Sequence, residues 1–406
     1  MIIVKSGVTA AKGFLANGIK AGIKKSGKKD LALLYSEAPA VAAGAFTSNK
    51  FQASPLKISK LHLKNKTHQA IIVNSGNANC ANGKSGDRDA LAMADYIAKG
   101  VCLAREEVLV ASTGIIGREL PIRKIQDKIP ELIIGLARDG GDYFSEAILT
   151  TDTVKKELSV KVRLGASTVT IGGACKGVGM VYPAMKVQRH ATVLCFLTTD
   201  VAISKAMLEA ALGEAMEESF NMASVDGDMS TNDTCFILAN GMAVNKKIAA
   251  KTGDYRKFTD ALKFLTKELA KMLVRDGEGA TKFVEIEVTG AKNKDDAVKI
   301  AKKVSTSNLL RCCIYGEDPN WGRVIAAAGA SGADFDADTV DVYLGGIKVL
   351  SNGSRVKNYD KDKVATSFKK SDTSITVDLK SGKYAATAWT CDFSKEYVEI
   401  NSEYST

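Results

Sequence analysis

The stretch Lys176–Asp200, KGVGMVYPAMKVQRHATVLCFLTTD, limits what this chain can fold into more than any other. Gly177, Gly179 and Pro183 break regular structure, a short basic segment follows, and Ala191-Thr192 then opens an apolar run, Val193 to Leu197. β-Branched and aromatic residues build strands, so an irregular loop feeds directly into a buried strand that begins at Thr192. Whatever the fold, it must hold that strand inside and keep the loop at its mouth.

The rest of the chain supplies neighbours for such a strand. Leu31–Tyr35 (LALLY), Ala70–Val73 (AIIV), Val108–Gly117, Phe283–Val288 and Ser374–Leu379 read as strands, the third breaking at Thr113-Gly114. Leu158–Leu164 and Thr168–Ile171 form a hairpin about Gly165-Ala166, and Val340–Leu350 form another about Gly345-Gly346. Small residues from Ala38 to Ser48 let backbones approach closely. Ala10–Ile23 is loop-rich, and Asn74-Ser75-Gly76-Asn77-Ala78-Asn79 reads as a polar turn. Helical periodicity appears at Asp87–Leu103, Ile125–Ala137, Lys205–Asn221 (capped by Ser204), Tyr255–Arg275 and Asp295–Val304. No internal repeat and no low-complexity linker is present. The expectation is an α+β fold of mixed sheets with flanking helices, about five of them.

Composition excludes several classes. A length of 406 residues, with 45% hydrophobic and 25% charged, is that of a globular chain with a large core. The net charge of +10 comes from scattered lysines without interleaved aromatics, so nucleic acid is not an expected partner; the basic surface suits anionic carboxylate substrates. Eight cysteines contain no CxxC pair, and Cys195 and Cys235 lie in apolar runs, which fits buried reduced thiols. His62, His68 and His190 lack metal-ligand spacing, so neither a metal nor a Ser-His-Asp triad is expected. Asp226–Thr234 (DGDMSTNDT) has a calcium-loop rhythm without the terminal glutamate, so calcium is rejected. No apolar stretch reaches membrane-span length and the N-terminus is too short for a signal peptide, so a cytoplasmic protein is expected.

A threonine entering a strand is usually an ordinary β-former. If the bond before Thr192 is cut, however, its free α-amine can act as base for its own hydroxyl, because an α-amino group titrates near 8 and is partly neutral in the cytoplasm. Here the motifs matter. Lys176-Gly177-Val178-Gly179-Met180, Pro183, Ala191-Thr192 and Thr198-Thr199-Asp200 together resemble the self-cleavage site of the glutamate N-acetyltransferase (ornithine acetyltransferase) family. Asn74–Asn79, Thr113-Gly114, Ala147–Thr153, Asp226–Thr234, Gly277-Glu278-Gly279 and Asp318-Pro319-Asn320-Trp321-Gly322-Arg323 resemble further signatures of that family in the same order, and the resemblance covers essentially the whole chain. Two departures stand out: five extra residues, Lys186–His190, before the Ala-Thr pair, and Leu309–Cys313 where the family usually has Val-Lys-Thr-Ala.

The resemblance implies a fold like that of the N-terminal-nucleophile aminopeptidases and self-cleavage at Ala191-Thr192 into fragments 1–191 and 192–406, two of each assembling together. It implies a ping-pong acetyl transfer from N2-acetyl-L-ornithine to L-glutamate through an ester on Thr192, with Thr113 and Gly114 stabilising the oxyanion. Thr150, Thr151, Lys176, Thr192, Glu278, Asn401 and Thr406 would line the substrate pocket, Lys176 taking a carboxylate and Glu278 the ornithine ammonium. No cofactor is implied. Acetyl-CoA remains open as a second acetyl donor, which would add amino-acid N-acetyltransferase activity. A self-processed amidase or aminopeptidase, and a non-cleaving amino-acid-binding protein, are the alternatives.

Overall fold

Sixteen residues, Leu31–Phe46, form one long strand on which a ten-stranded mixed sheet is built. The computed structural model describes residues 1–4, 6–187 and 193–403. The apolar LALLY segment and the small-residue run after it therefore belong to a single strand with two sets of partners. Its first half pairs with Phe14–Ile19 and His68–Asn77; its second half pairs with Thr234–Ala239, the register shifting between Tyr35 and Ala40. The sheet runs in the order Ile2–Val4, Lys156–Leu164, Ser167–Lys176, Leu194–Thr199, Thr234–Ala239, Leu31–Phe46, His68–Asn77, Val108–Ile115.

The strand after the loop, Leu194–Thr199, lies in the middle of this sheet and is buried along its whole length. That is why its sequence is apolar without alternation: both faces are covered. Cys195 and Leu197 face one core with Leu212, Leu265 and Leu269; Leu194 and Phe196 face another, where the Phe196 ring meets Phe144 edge-on at 5.2 Å. Cys175, Cys195 and Cys235 stand side by side across three strands, buried and reduced.

A second sheet of seven strands has Phe283–Ala291 at its centre, between Tyr384–Cys391 and Asp372–Asp378. The helix Gly253–Arg275 packs on Lys156–Leu164 and Ser167–Lys176 of the first sheet and on Tyr384–Cys391 of the second, joining them through Leu262, Leu265, Leu269 and Leu273. Its N-cap is Thr252, and Ser204 caps Lys205–Glu218 by accepting from the Met207 N–H. The architecture is α+β, with mixed sheets and flanking helices.

Several local expectations change. Eleven α-helices lie among the described residues rather than about five. The additional six, such as Asn308–Tyr315 and Trp321–Gly329, span only 7–9 residues, too short for periodicity to declare itself. Ala10–Ile23 is not all loop, since Phe14 and Ala16 anchor a strand. Asn74–Asn79 is not simply a turn: the strand continues to Asn77 because Val108–Ile115 runs parallel beside it and pairs through Gly114. The helix begun at Lys205 ends at Glu218, where Ser219 leaves helical geometry.

Candidate functional site

Three turns bring the polar residues together at the end of the first sheet. The strand Ser167–Lys176 ends at Lys176 and turns through Gly177; the segment after helix Gly141–Ala147 carries Thr150, Thr151 and Asp152; and the helix Gly253–Arg275 ends in the turn that carries Glu278. Thr113 and Gly114 close the circle from the neighbouring strand. These elements enclose a cavity of about 140 Å³ whose lining includes Thr113, Gly114, Thr150, Thr151, Lys176, Glu278, Asn401 and the loop Ser230–Asp233.

Lys176 is almost entirely buried and donates to Thr150 Oγ1 at 2.7 Å and to Thr113 Oγ1 at 3.3 Å. Its carboxylate partner is Asp152, 3.9 Å away. Burial lowers the Lys176 pKa, and Asp152 opposes that loss. Asp152 is in turn the anchor of the whole region. It accepts the Gly177 N–H at 2.9 Å and the Thr150 N–H at 3.1 Å, and it pairs with the buried Lys156 at 2.8 Å. Lys156 also reaches Asp276, two residues before Glu278, at 2.5 Å. Burial alone would raise the Asp152 pKa, but the charges of Lys176 and Lys156 and their hydrogen bonds bring it down to about 2.

Glu278 is held open on the other side of the cavity. Thr151 Oγ1 donates to one carboxylate oxygen at 2.7 Å and Asn401 Nδ2 to the other at 3.1 Å. Its backbone N–H is fixed to the Val178 carbonyl at 2.8 Å. A Cβ on Gly179 would stand 2.3 Å from the Glu278 Oε2 and would push that carboxylate aside. At Gly114 the constraint is the backbone itself. Its φ is +130° and a Cβ would lie 2.4 Å from the Gly76 carbonyl carbon, so only glycine lets the two parallel strands lie so close at this point. One buried cation and one held carboxylate across a small cavity suit a ligand that carries a carboxylate at one end and an ammonium at the other.

Of the residues singled out from the sequence, Thr113, Gly114, Thr150, Thr151, Lys176, Glu278 and Asn401 are brought together. Ala191, Thr192 and Thr406 lie outside the described residues. Asn401 reaches the cavity from the helix Lys395–Glu403. Sequence reading missed Asp152 and the loop Ser230–Asp233. The first sat unnoticed beside the more conspicuous threonines, and the second was read as a failed calcium loop and a family signature, without a place at the site. Asn232 ties that loop to the cavity wall, its Nδ2 donating to the Ala78 and Ser112 carbonyls at 2.6 and 2.8 Å. Among the described residues, no group of three or more His, Cys, Asp or Glu side chains is arranged to hold a metal ion, and no helix is long and apolar enough to cross a membrane.

The sequence matches the ArgJ family across residues 15–406. The chain belongs to that family. It is 46% identical over 407 aligned positions to the arginine biosynthesis bifunctional protein ArgJ of Dehalococcoides mccartyi, covering 100% of this chain and 98% of that one. It is 44% identical over 417 positions to the glutamate N-acetyltransferase of Methanocaldococcus jannaschii, covering 100% of both. A crystal structure of the ArgJ protein of Bacillus halodurans, 39% identical, aligns with 51% of this chain and 97% of its own with a TM-score of 0.49.

Proposed function

We propose that this protein transfers the acetyl group of N2-acetyl-L-ornithine to L-glutamate, after cutting itself between Ala191 and Thr192 into fragments 1–191 and 192–406. The observation that carries the reading is the pair of opposite charges across one cavity, Lys176 and Glu278, each held by neighbouring threonines. Membership of the ArgJ family and near-complete alignment with a glutamate N-acetyltransferase support the substrate class.

In this reading the Thr192 hydroxyl attacks the acetyl carbonyl, its own α-amine takes the proton, and Thr113 and Gly114 stabilise the oxyanion. Lys176 takes the α-carboxylate of either amino acid and Glu278 the side-chain ammonium of ornithine. Thr150 holds the Lys176 ammonium in place, Thr151 and Asn401 hold the Glu278 carboxylate, and Thr406 completes the pocket. Ornithine leaves, glutamate enters, and its amine accepts the acetyl group from the threonine ester. No cofactor takes part; acetyl-CoA would be a second acyl donor to the same hydroxyl. Two copies of each fragment would make up the assembly.

Intact mass and N-terminal sequencing test the reading directly. Two fragments, the second beginning with Thr192, are expected in place of one 43.1 kDa chain. Acetyl transfer from N2-acetyl-L-ornithine to glutamate must then exceed release of free acetate. A single uncut chain, or hydrolysis without transfer, refutes the proposal.

A further inference from the structure

The segment Leu309–Cys313 lies outside the cavity lining, yet it carries the largest fully buried side chain among the described residues, Arg311, which is 1% exposed. No carboxylate among the described residues lies within ion-pairing distance of it, and its Nη1 has no hydrogen-bond partner among them. Burying a charge without a counter-ion costs stability, and an apolar side chain of similar size would avoid that cost. What Arg311 contributes is geometry. Its Nε donates to the Cys391 carbonyl at 2.9 Å and its Nη2 to the Asp392 carbonyl at 3.1 Å. Its own carbonyl accepts the Phe393 N–H at 3.2 Å, and the guanidinium lies 4.9 Å from the centre of the Phe393 ring. One residue therefore grips three consecutive ones at the point where the strand Tyr384–Cys391 ends.

The chain beyond that point bears directly on Glu278. The Asp392 carboxylate accepts the Thr281 and Lys282 N–H groups at 2.8 and 2.9 Å, which fixes the far end of the Glu278 turn. Ser394 Oγ accepts the Tyr397 N–H at 3.1 Å, and the Phe393 ring meets the Tyr397 ring at 4.8 Å. The helix Lys395–Glu403 that follows has no fully buried residue, so its own packing does little to set its direction. It starts against Gly279, where a Cβ would stand 2.5 Å from the Tyr397 nitrogen, and it brings Asn401 Nδ2 to 3.1 Å from the Glu278 Oε2. Lys395 to Asn401 spans about 9 Å of helix, so a tilt of about 10° at the base moves Asn401 by about 1.5 Å, enough to lose that hydrogen bond.

We propose that Arg311 is a positioning residue for the ammonium end of the pocket: it fixes the exit of the last strand so that the final helix delivers Asn401 to Glu278. The role rests on the assignment of Glu278 to the ornithine ammonium proposed above. Arg311→Met keeps the length of the side chain and removes every donor, and steady-state kinetics on the purified protein provide the test. KM for N2-acetyl-L-ornithine is expected to rise about 10-fold while KM for L-glutamate stays within about 2-fold of wild type. Adding Asn401→Ala must then raise KM no further, because both changes remove one contact. An unchanged KM for N2-acetyl-L-ornithine, KM values that rise together, or fold-changes that multiply in the double variant overturn the assignment. Glu278→Gln separates the two readings. If it leaves both KM values unchanged, the Glu278 assignment falls and this one with it; if it splits them and Arg311→Met does not, the Arg311 assignment falls alone. Should Arg311→Met not fold, hydrogen exchange of Arg311→Lys decides. Amides of the helix Lys395–Glu403 must exchange about 10-fold faster than in wild type while those of Phe283–Ala291 keep their rate, and equal rates in the helix overturn the proposal.

Discussion

Asp152→Asn separates charge from shape at the anchor of the cavity. The Gly177 and Thr150 N–H groups donate to different carboxylate oxygens, so the single asparagine oxygen can still accept only one of them, while Lys176 loses its partner at 3.9 Å and Lys156 retains Asp276 as its one carboxylate. Removing one member of a buried ion pair costs about 3–5 kcal/mol, and the surviving Asp276 pairing favours the low end. The pKa gives a second route to the figure. A fall from 3.8 to about 2 corresponds to about 2–3 kcal/mol of preference for the ionised form in the folded chain. Denaturant unfolding near neutral pH is thus expected to show a loss of about 3 kcal/mol. The sign with pH follows from linkage. The depressed pKa contributes stability in full above 3.8 and loses it as pH falls towards about 2, so the gap between wild type and variant must close across that window. Activity carries a second signature: Lys176, already lowered by burial, loses the charge that holds its proton, so KM for carboxylate substrates rises at a lower pH than in wild type. A gap below about 1 kcal/mol, or one that persists unchanged into acid, refutes the electrostatic reasoning.

Four other perturbations probe the same cavity. Glu278→Gln keeps an oxygen for the Thr151 hydroxyl but removes the charge, so KM for N2-acetyl-L-ornithine should rise about 10-fold or more while KM for glutamate moves little, as steady-state kinetics would show. Gly179→Ala places a methyl 2.3 Å from Glu278 Oε2 and should reproduce that KM pattern with little change in melting temperature. Gly114→Ala drives a Cβ against the Gly76 and Asn77 backbone at 2.4 and 2.5 Å; a loss of about 1–3 kcal/mol in denaturant unfolding is expected, with acetyl transfer reduced. Asn232→Ala leaves the Ala78 and Ser112 carbonyls without their donor and should cost about 2 kcal/mol or more by the same measurement.

The central strand and the five long helices were legible because they carry strong periodic or unbroken apolar signals. The short helix Trp321–Gly329 was not, since its start is set by the Asn320 side chain accepting the Arg323 N–H rather than by any repeat. Within the cavity, glycines and threonines stood out through their motifs, whereas Asp152 did not. A buried carboxylate looks like a surface one until the lysines that neutralise it, Lys156 and Lys176, are seen converging on it. Asn401 lies 123 residues from Glu278, and only the docking of the last helix joins them.

The order of the large sheet also bears on how the protein lives after a cut. Leu194–Thr199 and Thr234–Ala239 are wedged between Ser167–Lys176 on one side and Leu31–Phe46 on the other, so strands from beyond residue 192 fill a gap between strands from before it. Two pieces so threaded could not be parted by dilution, because release of either means opening the sheet along both flanks at once. Once melted, they would have to meet again by diffusion, and recovery would become second order in protein concentration. Its endurance would then be governed by how slowly it comes apart rather than by any balance with a refolding pool.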